Sequence, residues 1–215
     1  MGIALGSISG IAVFIISLKE DYPPILKDLE KTNNELKDPI LEKIYGNRDA
    51  QNFIKKIDGV SEHRNILKDI LDQATKNIII FSGFTSKYAI DEIFLTKIKK
   101  ALEKGVNIYL CFGYQHPSNK KSKTDLSKKE ITELIQLSRE VKEKSDYGKL
   151  IIYDIPNHSK MIIKDQDFMI NGSFNWLSTG DESKNFEQSF LINNKRIIND
   201  EVTNTFNLFS KYQPL

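Results

Sequence analysis

From Phe53 onward the chain alternates between two hydrophobic periods, one suited to helices and one to buried strands. Ile66, Leu67, Ile70, Leu71 and Ala74 recur at helical spacing, with Ser61 placed to cap the start of that helix. Asn77 to Ser82 then reads as a short apolar, β-branched run, the pattern of a strand covered on both faces. A second amphipathic helix is predicted from about Tyr88 to Lys104 and stops at Gly105, a helix-terminating residue. Val106 to Phe112 repeats the buried-strand pattern. Strand, helix and strand with short connections make a βαβ unit, which calls for parallel strands with helices packed on their faces. After a polar insertion from Gly113 to Gly148, with a helix from about Ser127 to Lys144, four more strands are predicted. They run over Lys149–Ile155, Lys160–Lys164, Phe168–Ile170 and Phe186–Ile192, and a helix from about Asn199 to Tyr212 follows. The fold class is α/β.

Residues 1–52 have a different character. Gly2 to Leu18 carries no charge and ends at Lys19-Glu20-Asp21. A run of this length lies at the lower limit for a membrane span. Gly2, Gly6 and Gly10 recur at the spacing that lets helices approach closely in lipid. The alternative is a hydrophobic segment buried in protein. The expectation is a membrane-anchored chain with its catalytic domain on the cytoplasmic side, or a cytoplasmic one if the segment is buried. Asp21 to Asn52 is charged and broken by Pro23-Pro24 and Pro39, with Ile25, Leu26, Leu29 and Leu36 at helical spacing. The chain thus divides into an apolar segment (1–20), a helical linker (21–52) and a globular domain (53–215).

Composition narrows the chemistry. Charged residues form 28% of the 215 and nearly cancel, leaving a net charge of +2, so any basic surface must come from local clustering. One cysteine rules out an internal disulfide framework, and three histidines make a His-rich metal cluster a poor expectation. Cys111 lies in the apolar run Ile108–Phe112 and is expected to be a buried thiol. The chemistry is expected to need no metal and no cofactor.

The informative stretch is His158-Ser159-Lys160, then Asp165, then Gly172-Ser173-Phe174-Asn175. In extended chain, side chains two apart share a side, so His158 joins Lys160 and Ser173 joins Asn175. A turn at Asp165-Gln166-Asp167 lets the two segments pair. An imidazole, an ammonium, a hydroxyl and an amide then meet at one locus. That set suits a phosphate, with donors for the non-bridging oxygens and an imidazole able to attack phosphorus.

These residues resemble the HKD motif of the phospholipase D superfamily, and Asn185-Phe186-Glu187 resembles that family's downstream Asn-x-Glu element. The resemblance covers about Phe53 to Tyr212 and implies a phospholipase D-like fold, a mixed central sheet with helices on both faces. It implies that His158 attacks phosphorus and forms a phosphohistidine. Lys160, Ser173 and Asn175 would bind the non-bridging oxygens. Glu187 would accept a hydrogen bond from the other imidazole nitrogen and fix the tautomer, and Asp165 would support the site from further away. The mechanism it implies needs two imidazoles in opposite protonation states. His63 and His116 both lack a lysine two places on, so no second motif exists in the chain. The single-motif pattern of the family implies a homodimer that shares one active site, with His158 from each subunit.

Other residues have competing readings. Trp176 either stacks on a substrate base or packs beneath the site. His63, in Glu62-His63-Arg64, reads as a solvated polar face. The cluster around Lys120 and Lys121 is either a soluble loop or a contact to a nucleic-acid backbone. The overall expectation is a metal-independent nuclease acting on DNA or RNA. The alternatives are a lipid phosphodiesterase and a nucleic-acid-binding module without catalysis.

Overall fold

A computed structural model describes residues 54–114 and 131–215. The expectations for segment 2–18, the linker, His116, Lys120, Lys121 and the helix start at Ser127 lie outside those residues. The elements are β1 (Ile54–Asp58), α1 (Gly59–Gln73), β2 (Asn77–Phe81), α2 (Glu92–Glu103), β3 (Asn107–Phe112) and α3 (Thr132–Lys142). They continue with β4 (Leu150–Asp154), β5 (Met161–Lys164), β6 (Phe168–Gly172), β7 (Gln188–Ile192) and α4 (Lys195–Phe209).

The seven strands form one sheet in the order β1-β7-β6-β5-β2-β3-β4. β2, β3 and β4 are parallel, whereas β5 runs antiparallel to β2 and the remaining neighbours alternate in direction. Alternation splits each central strand between two cores. Ile78 and Ile80 face the layer that holds α1, α2 and α3, while Ile79 and Phe81 face α4 through Ile198, Val202 and Phe209. The all-apolar run of β2 is therefore explained by helices on both faces, as the α/β reading requires.

Differences lie at the element ends. β1 has the sequence Ile-Lys-Lys-Ile-Asp, buries only Ile57 and forms the sheet edge, so its hydrophobic signal is too thin to read. α1 begins at Gly59 after Asp58, which puts Ser61 inside the first turn rather than at the cap. α2 begins at Glu92 instead of Tyr88, because the Asp91 carboxylate accepts from the Phe94 amide at 2.7 Å. α4 begins earlier than expected because Asn194 caps it through the Ile197 amide at 3.0 Å.

Candidate active site

β5 and β6 form a hairpin whose turn holds Asp165 and Gln166 at φ of 51° and 62°. His158 lies in the loop between β4 and β5, and Lys160 directly precedes β5. Ser173 directly follows β6, and Glu187 directly precedes β7. All four therefore stand at one end of the sheet, beside the C-terminal ends of β2 and β3, where ligand sites of such sheets form.

Gly83, just past β2, is the floor of this cluster. A methyl group built on it would lie 3.4 Å from His158 Cδ2, 3.5 Å from Asn175 Oδ1 and 3.5 Å from Tyr114 Cβ. The nucleophile candidate and the amide candidate thus meet over one residue. The His158 side chain is exposed, and its ring lies against that of Tyr114, 4.5 Å between centroids. The Lys160 ammonium donates to the His158 carbonyl at 3.0 Å, and the Gly172 amide donates to the Lys160 carbonyl at 3.3 Å. Burial lowers the Lys160 pKa below the ordinary lysine value, with the Glu187 carboxylate opposing the shift. Asn175 Oδ1 is buried and has no hydrogen-bond partner among the described residues. An unsatisfied buried acceptor of this kind is costly unless a ligand or water completes it.

Ser173 and Glu187 are joined by register. Gly172 faces Ser189 across β6 and β7, so the next residue, Ser173, comes opposite Gln188 and beside Glu187. The Ser173 hydroxyl donates to the Glu187 carboxylate in a short hydrogen bond and accepts from the Gln188 amide at 3.0 Å. The structure thus pairs Glu187 with Ser173, and the expected bond from the His158 imidazole to Glu187 is not present among the described residues. Gly172 makes this close pairing possible, since a methyl group there would collide with Ser189 Oγ and the Gln188 carbonyl.

Asp165 stands apart from the cluster. It lies at the far end of β5, roughly 16 Å along the chain from Lys160 at strand spacing. Its carboxylate accepts from the backbone amides of Thr75, Lys76 and Asn77 at 2.7–2.8 Å and from the Thr75 hydroxyl at 3.2 Å. The Lys164 ammonium lies 3.2 Å away, and both side chains are 3% exposed. Burial raises the Asp165 pKa, but the three amides and Lys164 outweigh it and hold the carboxyl below its ordinary value. Asp165 anchors the start of β2 and touches none of the other motif side chains.

Of two further residues, Trp176 takes its packing alternative and His63 departs from the expectation of a solvated face. Trp176 is fully buried against Phe174 and His63, so its ring face is not offered to a base. Its indole nitrogen has no hydrogen-bond partner among the described residues. His63 is likewise fully buried rather than solvated. Its Nδ1 donates to the Gly59 carbonyl at 2.6 Å, which leaves Nε2 to accept from the Ser189 hydroxyl at 2.8 Å. Its ring stacks on Phe174 at 4.5 Å between centroids. Burial lowers its pKa, against the Gly59 carbonyl and Glu187, which raise it. His63 shares a helical stripe with Val60, Leu67 and Ile70, a signal that was present in the sequence. Arg64, also buried, bonds Asp181 at 2.9 Å and faces Asp91 at 3.6 Å, tying the 180s loop to the start of α2.

A cleft of about 580 Å³ opens beside the cluster, lined among others by Asn175, Glu187, Asn185, Thr179 and the exposed Tyr88. Among the described residues no three His, Cys, Asp or Glu side chains are grouped to hold a metal ion. No helix among those residues is long and apolar enough to cross a membrane.

The fold is similar to that of a phospholipase D family member, Nuc, from Salmonella typhimurium. The TM-score is 0.55 at 15% identity, over 77% of this chain and 99% of that one. It is also similar to a phosphatidylserine synthase from Haemophilus influenzae, with a TM-score of 0.56 at 15% identity over 81% of this chain and 44% of that one. TrmBL2, an archaeal chromatin protein with a DNA-binding structure, matches with a TM-score of 0.52 at 17% identity, over 98% of this chain and 72% of that one. No curated protein sequence matches the chain. Residues 67–209, more than half of the chain, match the family described as "Cardiolipin synthase, PLD-like domain", and the chain belongs to this phospholipase D-like family.

Proposed function

We propose that this protein is a metal-independent phosphodiesterase that cleaves nucleic acid through a covalent phosphohistidine on His158. The observation that carries the reading is the meeting of the His158 imidazole and the Asn175 side chain over Gly83, with Lys160 and Ser173 on the adjoining strand ends. His158 attacks phosphorus and displaces one alcohol, which leaves with a proton from a second imidazole. Water then attacks the phosphohistidine and frees the imidazole. Lys160 and the Asn175 NH2 donate to the non-bridging oxygens, where charge builds in both steps, and Ser173 joins them on turning its hydroxyl from Glu187. Glu187 orients Ser173 and balances the Lys160 charge, which it is near enough to influence. Asp165 acts only by fixing the strand. Since the chain holds one motif, the second imidazole comes from a second copy, in a homodimer with a site on its two-fold axis.

Nucleic acid is favoured as substrate by the lysine-rich sequence around Lys120 and Lys121, which follows β3 along the chain. A DNA-binding protein on a similar fold supports the same choice. A lipid phosphodiester is the second reading, favoured by the cardiolipin synthase description of the matching family and by the charge-free segment 2–18. In that reading the segment holds the catalytic domain at a membrane.

The test is turnover in EDTA of labelled DNA, RNA and phosphatidylglycerol vesicles by the full chain, beside His158→Ala. Nucleic-acid cleavage that survives chelation and is lost in the variant supports the proposal. Lipid turnover with nucleic acid untouched replaces it with the second reading. Nucleic-acid binding that His158→Ala leaves intact, with no turnover by either protein, points to a binding module and overturns both.

A further inference from the structure

We propose that Tyr114 is a positioning residue that holds the His158 imidazole in its attacking orientation, an inference that rests on the catalytic reading of His158. An imidazole nucleophile has two side-chain torsions, and only a narrow range of them points a ring nitrogen along the axis of the bond being broken. His158 lies in a loop and is exposed, so neither a strand nor a packed core restrains its ring. Its backbone is held, since the carbonyl accepts from Lys160 at 3.0 Å. No hydrogen bond among the described residues holds a ring nitrogen, and Glu187, which could have done so, is engaged with Ser173.

What does touch the imidazole is Tyr114. The two rings lie 4.5 Å apart between centroids and are inclined by 38°, so the phenol ring closes one face of the imidazole. Tyr114 is itself fixed from two directions. Its backbone amide donates to the Gly83 carbonyl at 2.9 Å, and Phe84 packs edge-on against its ring at 4.9 Å. Phe84, Tyr114 and His158 form a short aromatic ladder that begins at the end of β2 and ends on the nucleophile. Gly83 completes the seat, since its missing side chain leaves the Cδ2 edge of the imidazole just clear of the backbone. The ring is thus confined between an aromatic wall and a glycine floor, with its remaining side open to substrate.

The contact is through the ring, so the phenol hydroxyl is not required. Tyr114→Phe should keep kcat within about threefold of the parent. Tyr114→Leu keeps bulk but not the flat wall, and Tyr114→Ala removes both. For these two, kcat should fall about 10- to 100-fold with KM changed by less than about threefold, the scale expected when a reacting group is misplaced. Single-turnover formation of the phosphohistidine should slow by the same factor. Thermal melting of each variant shows which remain folded, and Tyr114→Leu serves if Tyr114→Ala does not.

A second measurement needs no turnover. In ring-labelled protein the Hδ2 of His158 should carry an aromatic ring-current shift that persists in Tyr114→Phe and disappears in Tyr114→Leu, with increased ring mobility by carbon relaxation. Wild-type activity lost in His158→Ala but unchanged in a folded Tyr114→Leu overturns this inference and leaves the catalytic reading standing. An unchanged Hδ2 shift and ring mobility in that variant overturns it as well, whether or not the enzyme turns over. A KM rise with kcat intact would assign Tyr114 to substrate binding and equally refute positioning.

Discussion

Replacing Asp165 by Asn swaps one carboxylate oxygen for an amide NH2 at the start of β2, where backbone amides point inward. One oxygen of the native side chain takes Lys76 N and Asn77 N at 2.7 and 2.8 Å, and the other takes Thr75 N at 2.8 Å. Whichever way the new amide turns, its NH2 faces at least one amide that can only donate. Each hydrogen bond to a charged group contributes about 1.5–3 kcal/mol. The Lys164 ammonium, 3% exposed, loses its ion pair with Asp165 at 3.2 Å and retains that with Asp167 at 3.7 Å. Breaking a buried pair costs about 3–5 kcal/mol, and the overlapping effects are not additive, so the expected loss is roughly 4 kcal/mol. For a domain of this size that corresponds to a melting temperature lower by about 8–16 °C.

The pH dependence carries a definite sign. The folded carboxyl is held below its ordinary pKa, so its stabilisation is fully present above the unfolded value near 3.9 and is lost as pH falls through the folded value. The gap in melting temperature between parent and Asp165→Asn should therefore be full at pH 7 and shrink below about pH 4. Turnover at 20 °C, where the variant is still folded, should stay within about threefold of the parent. A melting temperature within 2 °C of the parent would refute the anchoring role. A large loss of turnover without loss of stability would return Asp165 to the chemistry.

Further outcomes follow from the layer beneath the site. His63→Gln should lower stability by about 2–4 kcal/mol in urea unfolding, from lost stacking on Phe174 and an altered bond to Ser189. Because burial holds the folded His63 neutral, the unfolded chain binds the extra proton. The parent should thus lose stability as pH falls below about 6.5, and this component should be missing in the variant. Gly172→Ala should cost about 1–3 kcal/mol by forcing β6 and β7 apart, and should lower turnover by moving Ser173 and Glu187. Unchanged melting and activity would show that the strands yield freely there. Lys160→Met should reduce kcat by at least about 100-fold with the fold intact by circular dichroism, since the proposed reaction has the ammonium donate to the non-bridging oxygens.

The parts of this structure that could be read in advance are those with a dense local signal. β2 is five residues of which four are fully apolar, and α2 keeps a clear apolar stripe ending at Gly105, whose φ is +85°. Of the motif residues, Lys160 and Ser173 stand together at the ends of β5 and β6 as the short turn implies, whereas His158 comes from a loop and Asp165 sits at the far end of β5. β1 was not, because an edge strand with one buried residue reads as polar chain. The charged neighbours of His63 suggest a solvated face, whereas its spacing from Leu67 and Ile70 places it on the buried face of α1. The partner of Glu187 depends on which residues β6 and β7 bring opposite one another, a register that no local pattern announces.

The most direct test of the central claim is to quench the 215-residue chain during turnover of a phosphorus-labelled diester in EDTA and locate the label by peptide mass spectrometry. The account predicts an acid-labile, base-stable phosphoramidate on His158 in the parent, accumulating before product release and absent from His158→Ala. Turnover with no label on His158, or with label on Ser159 or Ser173 instead, would contradict it.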